Sequence, residues 1–238
     1  MSQPPAARPR VETAPDGSLI AVCVVHAIIP NPGETPDVTA IDKRPREGRL
    51  EVGPLGFAGD TQVDRKYHGG EEQALYTYAD EDAAWWAREL DRRIPAGLFG
   101  ENLRTRGVDV SGAEIGERWR VDGVLLEVTA PRIPCMTFQK RMDEPHWIKR
   151  FTHAGMPGAY LRVLAAGSLG AGDPVQVVHR PGHGVTVADL MAGGAPSALA
   201  LLEAHEAGAV TLGPKVQRIV RRRTWRLRAD RTAPTEGR

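Results

Sequence analysis

The amino-acid sequence predicts a mainly β fold, a barrel or a sandwich, followed by a small helical domain. Most apolar runs before residue 180 are short and rich in β-branched residues. Gly, Pro or Asp turn signals bound nearly all of them, which is the spacing expected of barrels and sandwiches. After residue 184 the pattern changes to helical segments. A chain of 238 residues is long enough for a large β domain with such an appendage.

The β domain is predicted over residues 19–180, after a polar tail, residues 1–18, that we expect to be disordered. Its first strand is the apolar run 19–29, which ends at a turn rich in Pro and Gly. Cys23 lies in this run and is predicted to be a core residue, because unpaired cysteine is among the most buried residue types. Further strands are predicted around residues 49–52, 73–77, 118–121, 124–129, 160–164 and 175–178.

Helices are predicted where apolar residues recur at helical spacing behind a capping residue. Residues 79–90 form the clearest helix of the β domain, with Asp80 as its N-cap, and residues 145–152 form a shorter one. Thr186 is the predicted cap of the first C-terminal helix, with Asp189 at its third position. The helices of the C-terminal domain, residues 185–228, are predicted over 186–191, 195–207 and 213–222, and residues 229–238 form a tail.

Composition and charge exclude several classes of protein. The 31 basic and 30 acidic residues give a net charge of +1, which is too small a field for a general nucleic-acid binder. The basic segment 218–231 around Trp225 is therefore interpreted as a solvated helix face and a frayed tail. An apolar signal segment and a run of about 18 apolar residues are both missing, so we expect neither secretion nor a membrane. Two cysteines in unlike contexts fit the reducing cytoplasm.

The densest polar cluster spans residues 56–70. It places Asp60, Gln62, Asp64 and His68 between glycines, a composition that lines a polar cleft better than it fills a dry core. A charged hairpin with glycine turns is the alternative interpretation, since Asp and Gly are also what turns require.

Two further segments carry candidate residues. Residues 98–103 predict a turn that contains Asn102. Residues 127–135 predict a strand that enters a loop stiffened by two prolines and ending at Cys135. Arg132 lies three positions before this thiol, and a nearby positive charge stabilises the thiolate, which is both the nucleophile and the soft metal ligand.

These segments, taken in order, resemble the MOSC domain, which is also found at the C-terminus of molybdenum cofactor sulfurases, and more narrowly its YiiM-like branch. The motifs are Gly-Asp60-x-Gln62-Val-Asp64-x-x-x-His68-Gly-Gly, Phe99-Gly-Glu101-Asn102-Leu, Gly112-x-x-Ile-Gly, Glu127-Val-x-x-Pro131-Arg132-x-Pro134-Cys135, Gly158-x-Tyr160-x-Arg162-Val-Leu and Gly172-Asp173. The resemblance spans roughly residues 22–179, and the remainder resembles the three-helix domain that follows in that branch.

The resemblance implies a β-barrel that binds molybdenum cofactor (molybdopterin), with Cys135 as the metal ligand. Arg132 and Asn102 would hold the pterin and phosphate end, and Gln62 and Asp60 would complete the cofactor site. Asp64 and His68 would be catalytic, with His68 giving a proton to the departing oxygen. The cofactor-binding basic residues of the amidoxime-reducing relatives have a loose counterpart in Lys43 and Arg44. A family-level association with pyridoxal phosphate binding also comes with the resemblance.

The implied function is reduction of N-hydroxylated small molecules such as hydroxylaminopurines. The chain has no dinucleotide-binding glycine fingerprint and no cysteine cluster for iron–sulfur, so a separate electron-donor reductase is expected. The C-terminal helices either dock this partner or cover an exposed barrel edge. Nucleic acid and membrane are not expected partners, and the oligomeric state, with a homodimer as one option, stays open.

Two alternative functions remain. In the first, Cys135 carries a persulfide and the protein is a sulfur carrier or transfer protein, for which the same thiolate activation would serve. In the second, the chain is an inert binding domain for an acidic ligand, so that replacing Cys135 would change nothing.

Overall fold

The computed structural model of the chain describes residues 16–63 and 69–232. Within them it has eleven β-strands, six α-helices and one short 3-10 turn at Glu71–Gln73. The strands are β1 Asp16–Pro30, β2 Val38–Pro45, β3 Leu50–Gly53, β4 Gly56–Phe57, β5 Leu75–Ala79, β6 Leu103–Arg106, β7 Arg118–Val121, β8 Val124–Pro131, β9 Ala159–Ala165, β10 Gly167–Leu169 and β11 Pro174–His179. The helices are α1 Asp80–Glu89, α2 Met136–Met142, α3 Trp147–Ala154, α4 Val187–Ala192, α5 Ala195–Glu206 and α6 Pro214–Thr232.

Seven strands close a barrel in the order β11, β7, β8, β9, β5, β6 and β1, and the mainly β prediction is confirmed. Closure depends on the length of β1, which pairs with β11 near Gly17, with β6 between Ser18 and Val22, and with β2 from Cys23 onward. The strand therefore begins before the predicted position 19. A separate three-stranded sheet is formed by β10, β3 and β4.

Strands β2 and β6 were not predicted, because charged residues interrupt their apolar pattern. β2 contains Asp42, Lys43 and Arg44, and it is tolerated as a strand because it lies at the end of the sheet order. β6 contains Arg104, whose guanidinium is buried in an ion pair with Glu101. The hydrophobic periodicity of a single strand does not reveal such an ion pair.

The barrel interior and the C-terminal helices share one buried apolar cluster. Leu201 and Leu202 of α5 and Val216 and Val220 of α6 belong to the same cluster as the barrel residues. The barrel closes on itself between β11 and β1, so these helices pack on it without covering an open barrel edge. The division of the chain into a barrel domain and a helical domain stays a prediction.

Two capping predictions have different outcomes. Thr186 caps α4 through a complete capping box with Asp189, as predicted. The Asp80 prediction was wrong, because Ala79 occupies the N-cap position of α1 and no side chain caps it. Asp80 instead pairs with Arg106 at 2.8 Å. None of the helices in the described part of the chain combines the length and apolarity needed to cross a membrane.

A second core, made of aromatic rings, lies outside the barrel between α1, α2 and α3. Trp86 and Trp147 are 4.5 Å apart between ring centroids, and Phe138 and Phe151 are 5.0 Å apart. Full burial of each such side chain stabilises the fold by roughly 1.5–3 kcal/mol. Because Phe138 belongs to α2, this packing fixes the start of that helix, which follows Cys135 directly.

Candidate functional site

A cavity of about 180 Å³ lies between the β1–β2 turn, the segment after β4 and the loop that joins β8 to α2. Six of the predicted site residues line it, namely Lys43, Asp60, Gln62, Asn102, Arg132 and Cys135. Asp64 and His68 lie outside the described residues, so their predicted catalytic roles stay predictions. The structure thus brings together residues that are more than 90 positions apart in the sequence.

Arg44 is the described site candidate that does not line the cavity. Its side chain is 60% exposed and reaches Asp42 at 3.5 Å. Successive residues of a strand point to opposite faces, so the orientation of Lys43 toward the cavity turns Arg44 away from it.

Cys135 occupies the N-cap position of α2 and is half-buried. Its backbone carbonyl accepts a hydrogen bond from the amide of Gln139, the first bond of the helix. Because α2 is anchored by Phe138 and Met142 in the aromatic core, the thiol is held at the cavity wall by a rigid element.

Arg132 is a buried cation with an unusual environment. Its guanidinium carbon lies 4.2 Å from the centroid of the Phe138 ring and 5.0 Å from that of Tyr76. Among residues 16–63 and 69–232 no carboxylate pairs with it, and its buried Nε has no hydrogen-bond partner. Burial alone would lower the pKa of Arg132, but the nearby Tyr160, Tyr76 and Cys135 raise it above its ordinary value.

A buried charge that pairs with no described carboxylate is costly, so this arrangement favours an anionic group in the cavity. The thiolate of Cys135 is one such group, and a phosphate or a pterin oxygen is another. Lys43 adds a second cation to the cavity wall. Its pKa is lowered by burial, an effect that Asp60 opposes.

Asp60 joins three elements below the cavity. Its Oδ1 accepts from the amide of Val25 at 2.9 Å, and its Oδ2 accepts from Nδ2 of Asn102 at 2.7 Å. Oδ2 also pairs with Nζ of Lys43 at 2.5 Å. The carboxylate therefore positions the lysine that faces the cavity.

Asn102 is committed to internal partners on both ends of its amide. Besides the bond to Asp60, its Nδ2 donates to the carbonyl of Cys23 at 3.1 Å, and its Oδ1 accepts from the amide of Tyr76 at 3.2 Å. Both amide hydrogens are thus used within the protein. This geometry makes Asn102 a link between β1 and β5.

Gln62 connects the two sides of the segment 64–68. Its Nε2 donates to the carbonyls of Leu55 and Gln73, at 3.1 and 3.3 Å, while its Oε1 accepts from the amide of Gly70 at 2.8 Å. The amide therefore fixes the points from which the chain enters and leaves the segment that contains the predicted catalytic residues.

The loop before β6 is organised by the buried carboxylate of Glu101. It accepts from the amides of Gly97 and Phe99, at 2.8 and 3.0 Å, and pairs with Arg104. Gly100 lines the cavity with φ +74°, and a Cβ at this position would lie 2.9 Å from the side chain of Ile41. The close approach of this loop to β2 thus requires glycine.

Two parts of the site were not assigned from the sequence. Tyr160 lines the cavity and is 8% exposed. Burial raises its pKa, although Arg132 opposes the shift. The β1–β2 turn forms another wall, where Nδ2 of Asn31 donates to Oγ1 of Thr137 at 2.9 Å. The Tyr160 motif was visible in the sequence, whereas the turn depends on the unpredicted strand β2.

The described residues contain no group of three or more His, Cys, Asp or Glu side chains placed to hold a metal ion. One thiolate can complete the coordination of a soft or high-valent metal that arrives already bound to other sulfur ligands. The thiol of Cys135 and the cations of Arg132 and Lys43 in one cavity fit an anionic cofactor that carries its own metal.

Comparison with known proteins agrees with this architecture. The family model of the MOSC domain matches residues 64–176 of this chain. YflK of Bacillus subtilis, an uncharacterized protein, is 31% identical over 149 residues, which cover 63% of this chain and 67% of YflK. YiiM of Escherichia coli is 34% identical over 145 residues, covering 60% of this chain and 65% of YiiM.

A third relative and a solved structure extend the comparison. A reductase of Gibberella moniliformis is 32% identical over 147 residues, 60% of this chain but 26% of the reductase. The crystal structure of YiiM from Geobacillus stearothermophilus superimposes with a TM-score of 0.70 at 22% identity, over 87% of this chain and 98% of that one. The fold likeness thus extends beyond residues 64–176.

Proposed function

The chain belongs to the MOSC domain family, and we propose that it is a molybdenum-cofactor-dependent oxidoreductase that reduces N-hydroxylated compounds such as hydroxylaminopurines. The observation that carries the proposal is the cavity that Cys135 and Arg132 share: a rigidly held thiol lies beside a buried cation that pairs with no carboxylate of residues 16–63 and 69–232. The similarity to a protein called a reductase supports the same class of reaction.

The cofactor would be held by three side chains of the cavity. Cys135 would bind the metal through its thiolate, and Arg132 and Lys43 would neutralise the anionic groups of the pterin end. When bound, the cofactor supplies a redox-active metal that exchanges two electrons with the substrate. Asp60 and Asn102 act as positioning residues, because their hydrogen bonds hold Lys43, β1 and β5 in place.

The reaction converts an N–OH group to N–H and water, which takes two electrons and two protons. Tyr160 keeps its proton at neutral pH, because the ordinary pKa of a phenol is about 10 and burial raises it further. Its hydroxyl can therefore donate a hydrogen bond to an oxygen in the cavity. We propose that His68 delivers a proton to the departing oxygen and that Asp64 assists it, since imidazole titrates near the working pH. We propose that electrons come from a separate reductase, because the sequence shows neither a dinucleotide-binding glycine fingerprint nor a cysteine cluster for iron–sulfur.

The test is reduction of a hydroxylaminopurine by protein purified from a host that makes molybdenum cofactor, with reduced methyl viologen as the electron donor. The matched variants are Cys135→Ser, which removes the proposed ligand, and Cys23→Ala, which removes a thiol buried in the core. We expect the unmodified protein and Cys23→Ala to form the corresponding aminopurine, and Cys135→Ser to form none. If the unmodified protein contains no molybdenum and Cys135 carries a persulfide by mass spectrometry, the protein is a sulfur carrier instead.

A further inference from the structure

The N-terminal end of helix α6 touches the rim of the cavity. Nζ of Lys215 donates to Oε1 of Gln73 at 3.1 Å and reaches the carbonyl of Gly69 at 3.5 Å. Gln73 lines the cavity, and its carbonyl also receives a hydrogen bond from Gln62. The surface on this side of α6 therefore adjoins the proposed catalytic site.

The same side of α6 carries a row of exposed cations. Arg218 and Arg222 follow Lys215 by three and seven residues, a spacing that places all three on one helix face. Both arginines are exposed, whereas Val216 and Val220 of the opposite face are buried in the core. The core thus fixes which face of the helix points outward.

Apolar groups accompany these cations. Ile219 is 37% exposed and Trp225 is 60% exposed, while Arg221 extends the charged area to the side. Within the described parts of the chain, no carboxylate forms an ion pair with Arg218, Arg221 or Arg222. The basic face of α6, defined as Arg218, Ile219, Arg221, Arg222 and Trp225, thus combines uncompensated charge with exposed aromatic and aliphatic surface.

We propose that the basic face of α6 docks an acidic flavoprotein that delivers electrons to the cofactor bound in the cavity. This inference rests on the proposed function. Charge complementarity favours this partner, because guanidinium groups that pair with no described carboxylate steer and hold a protein of opposite charge. Trp and Arg are also residue types enriched at interface hot spots. The row runs for about 10 Å along the helix from Lys215 to Arg222, so a docked partner lies next to the cavity rim.

A nucleic acid is the less favoured occupant. The chain as a whole has a net charge of +1, so it lacks the broad positive field that attracts phosphate backbones. The electron requirement, in contrast, calls for a protein partner. The reduced flavin gives up two electrons in all, and with two protons from water these convert N–OH to N–H and one water molecule.

The experiment compares two electron donors on the cofactor-loaded full chain. One is reduced methyl viologen, a small cation that needs no docking surface, and the other is an acidic flavodoxin kept reduced by its NADPH-dependent reductase. The test variant is Arg218→Glu/Arg222→Glu. The control is Arg88→Glu/Arg93→Glu, which makes the same change in charge at two exposed arginines near α1.

We expect viologen-driven reduction to be equal in all three proteins, and flavodoxin-driven kcat/KM to fall at least tenfold in the test variant only. Added salt should lower the flavodoxin-driven rate of the unmodified protein, because it screens exposed charges. A second readout needs no turnover: calorimetric titration of the cofactor-free chain with flavodoxin should give a Kd at least tenfold higher for the test variant than for the control.

Several results would overturn this docking surface. They are flavodoxin-driven rates that are equal in both variants, an equal loss in the control, or viologen-driven reduction without any flavodoxin-driven reduction in the unmodified protein. Binding of a short DNA duplex that only the test variant loses, with the flavodoxin rate intact, would assign the face to nucleic acid. Failure of viologen-driven reduction in the unmodified protein would instead refute the proposed function itself.

Discussion

The guanidinium of Arg132 stacks against the ring of Phe138, with 4.2 Å between the guanidinium carbon and the ring centroid. Phe138 lies on the helix that begins next to Cys135, so one element positions both the thiol and the aromatic surface that supports the cation. The ring can stabilise the charge but does not neutralise it. This relationship leaves the positive charge of Arg132 available to an anion beside the thiol.

Replacing Arg132 by Met should lower the retention of the cofactor without lowering the stability of the cofactor-free protein. Arg132→Met keeps apolar bulk between Phe138 and Tyr76 and removes a buried charge that pairs with no described carboxylate. We expect its cofactor-free melting temperature to match or exceed that of the unmodified protein, while cofactor occupancy falls about tenfold or more, as the loss of a charge-assisted contact predicts. Arg132→Lys should also lose occupancy, because an ammonium cannot stack as a planar guanidinium does. Full occupancy in Arg132→Met would contradict the assigned role.

The ion pair between Asp60 and Lys43 beside the cavity should contribute strongly to the unfolding free energy of the protein. Asp60→Asn leaves the ammonium of Lys43 buried without a counter-charge, and the cost should be about 3–5 kcal/mol of unfolding free energy. Urea denaturation of the cofactor-free protein measures it. In a Lys43→Met background the same Asp60→Asn change should cost much less. Equal costs in the two backgrounds would show that the pair is not coupled.

The two thiols should differ sharply in reactivity toward iodoacetamide. Cys135 is half-buried at the cavity wall, whereas Cys23 is fully buried in β1. Alkylation followed by mass spectrometry of tryptic peptides should therefore find modification of Cys135 in the native protein, and of Cys23 only after unfolding. Native Cys135→Ser should remain unmodified. Labelling of Cys23 at the native rate of Cys135 would refute the placement of β1 in the core.

Burial of Cys23 also predicts a dependence of stability on pH. Its pKa is raised from 9.0 to about 12, mainly by desolvation and secondarily by Glu101. A raised folded pKa means that the unfolded chain loses its proton first, so this contribution is complete below pH 9 and declines as pH rises toward 12. The stability difference between the unmodified protein and Cys23→Ala should shrink above pH 9, by at most about 1.4 kcal/mol per pH unit. A constant difference from denaturant titrations across this range would contradict the shift.

The sequence predicts the fold well where one strand face is uniformly apolar. The run that became β1 and the segment Arg118–Val121 are of this kind, and the latter was predicted with the observed bounds. The strand β2 was not found, because its charged residues are satisfied by partners distant in the chain, such as Asp60 for Lys43 and Arg141 for Asp42. Local periodicity contains no information about such pairs.

Prediction of the candidate site from the sequence is limited in the same way. The motif order indicated which residues gather, and six of them line one cavity. It did not separate residues that face the cavity from those that support it, because Asn102 and Gln62 look identical in sequence whether their amides bind a ligand or the backbone. It also gave no role to Tyr160, whose position beside Arg132 follows from the pairing of β8 with β9.

If Cys135 is the molybdenum ligand, the molybdenum content of the purified protein depends on its thiol, and plasma mass spectrometry measures that content. Unmodified protein, Cys23→Ala and Cys135→Ser should be produced in the same cofactor-making host, with thermal denaturation to establish that each is folded. We predict stoichiometric molybdenum in the first two and a near-complete loss in folded Cys135→Ser. Equal molybdenum in folded Cys135→Ser, or none in the unmodified protein, would show that Cys135 does not hold the metal.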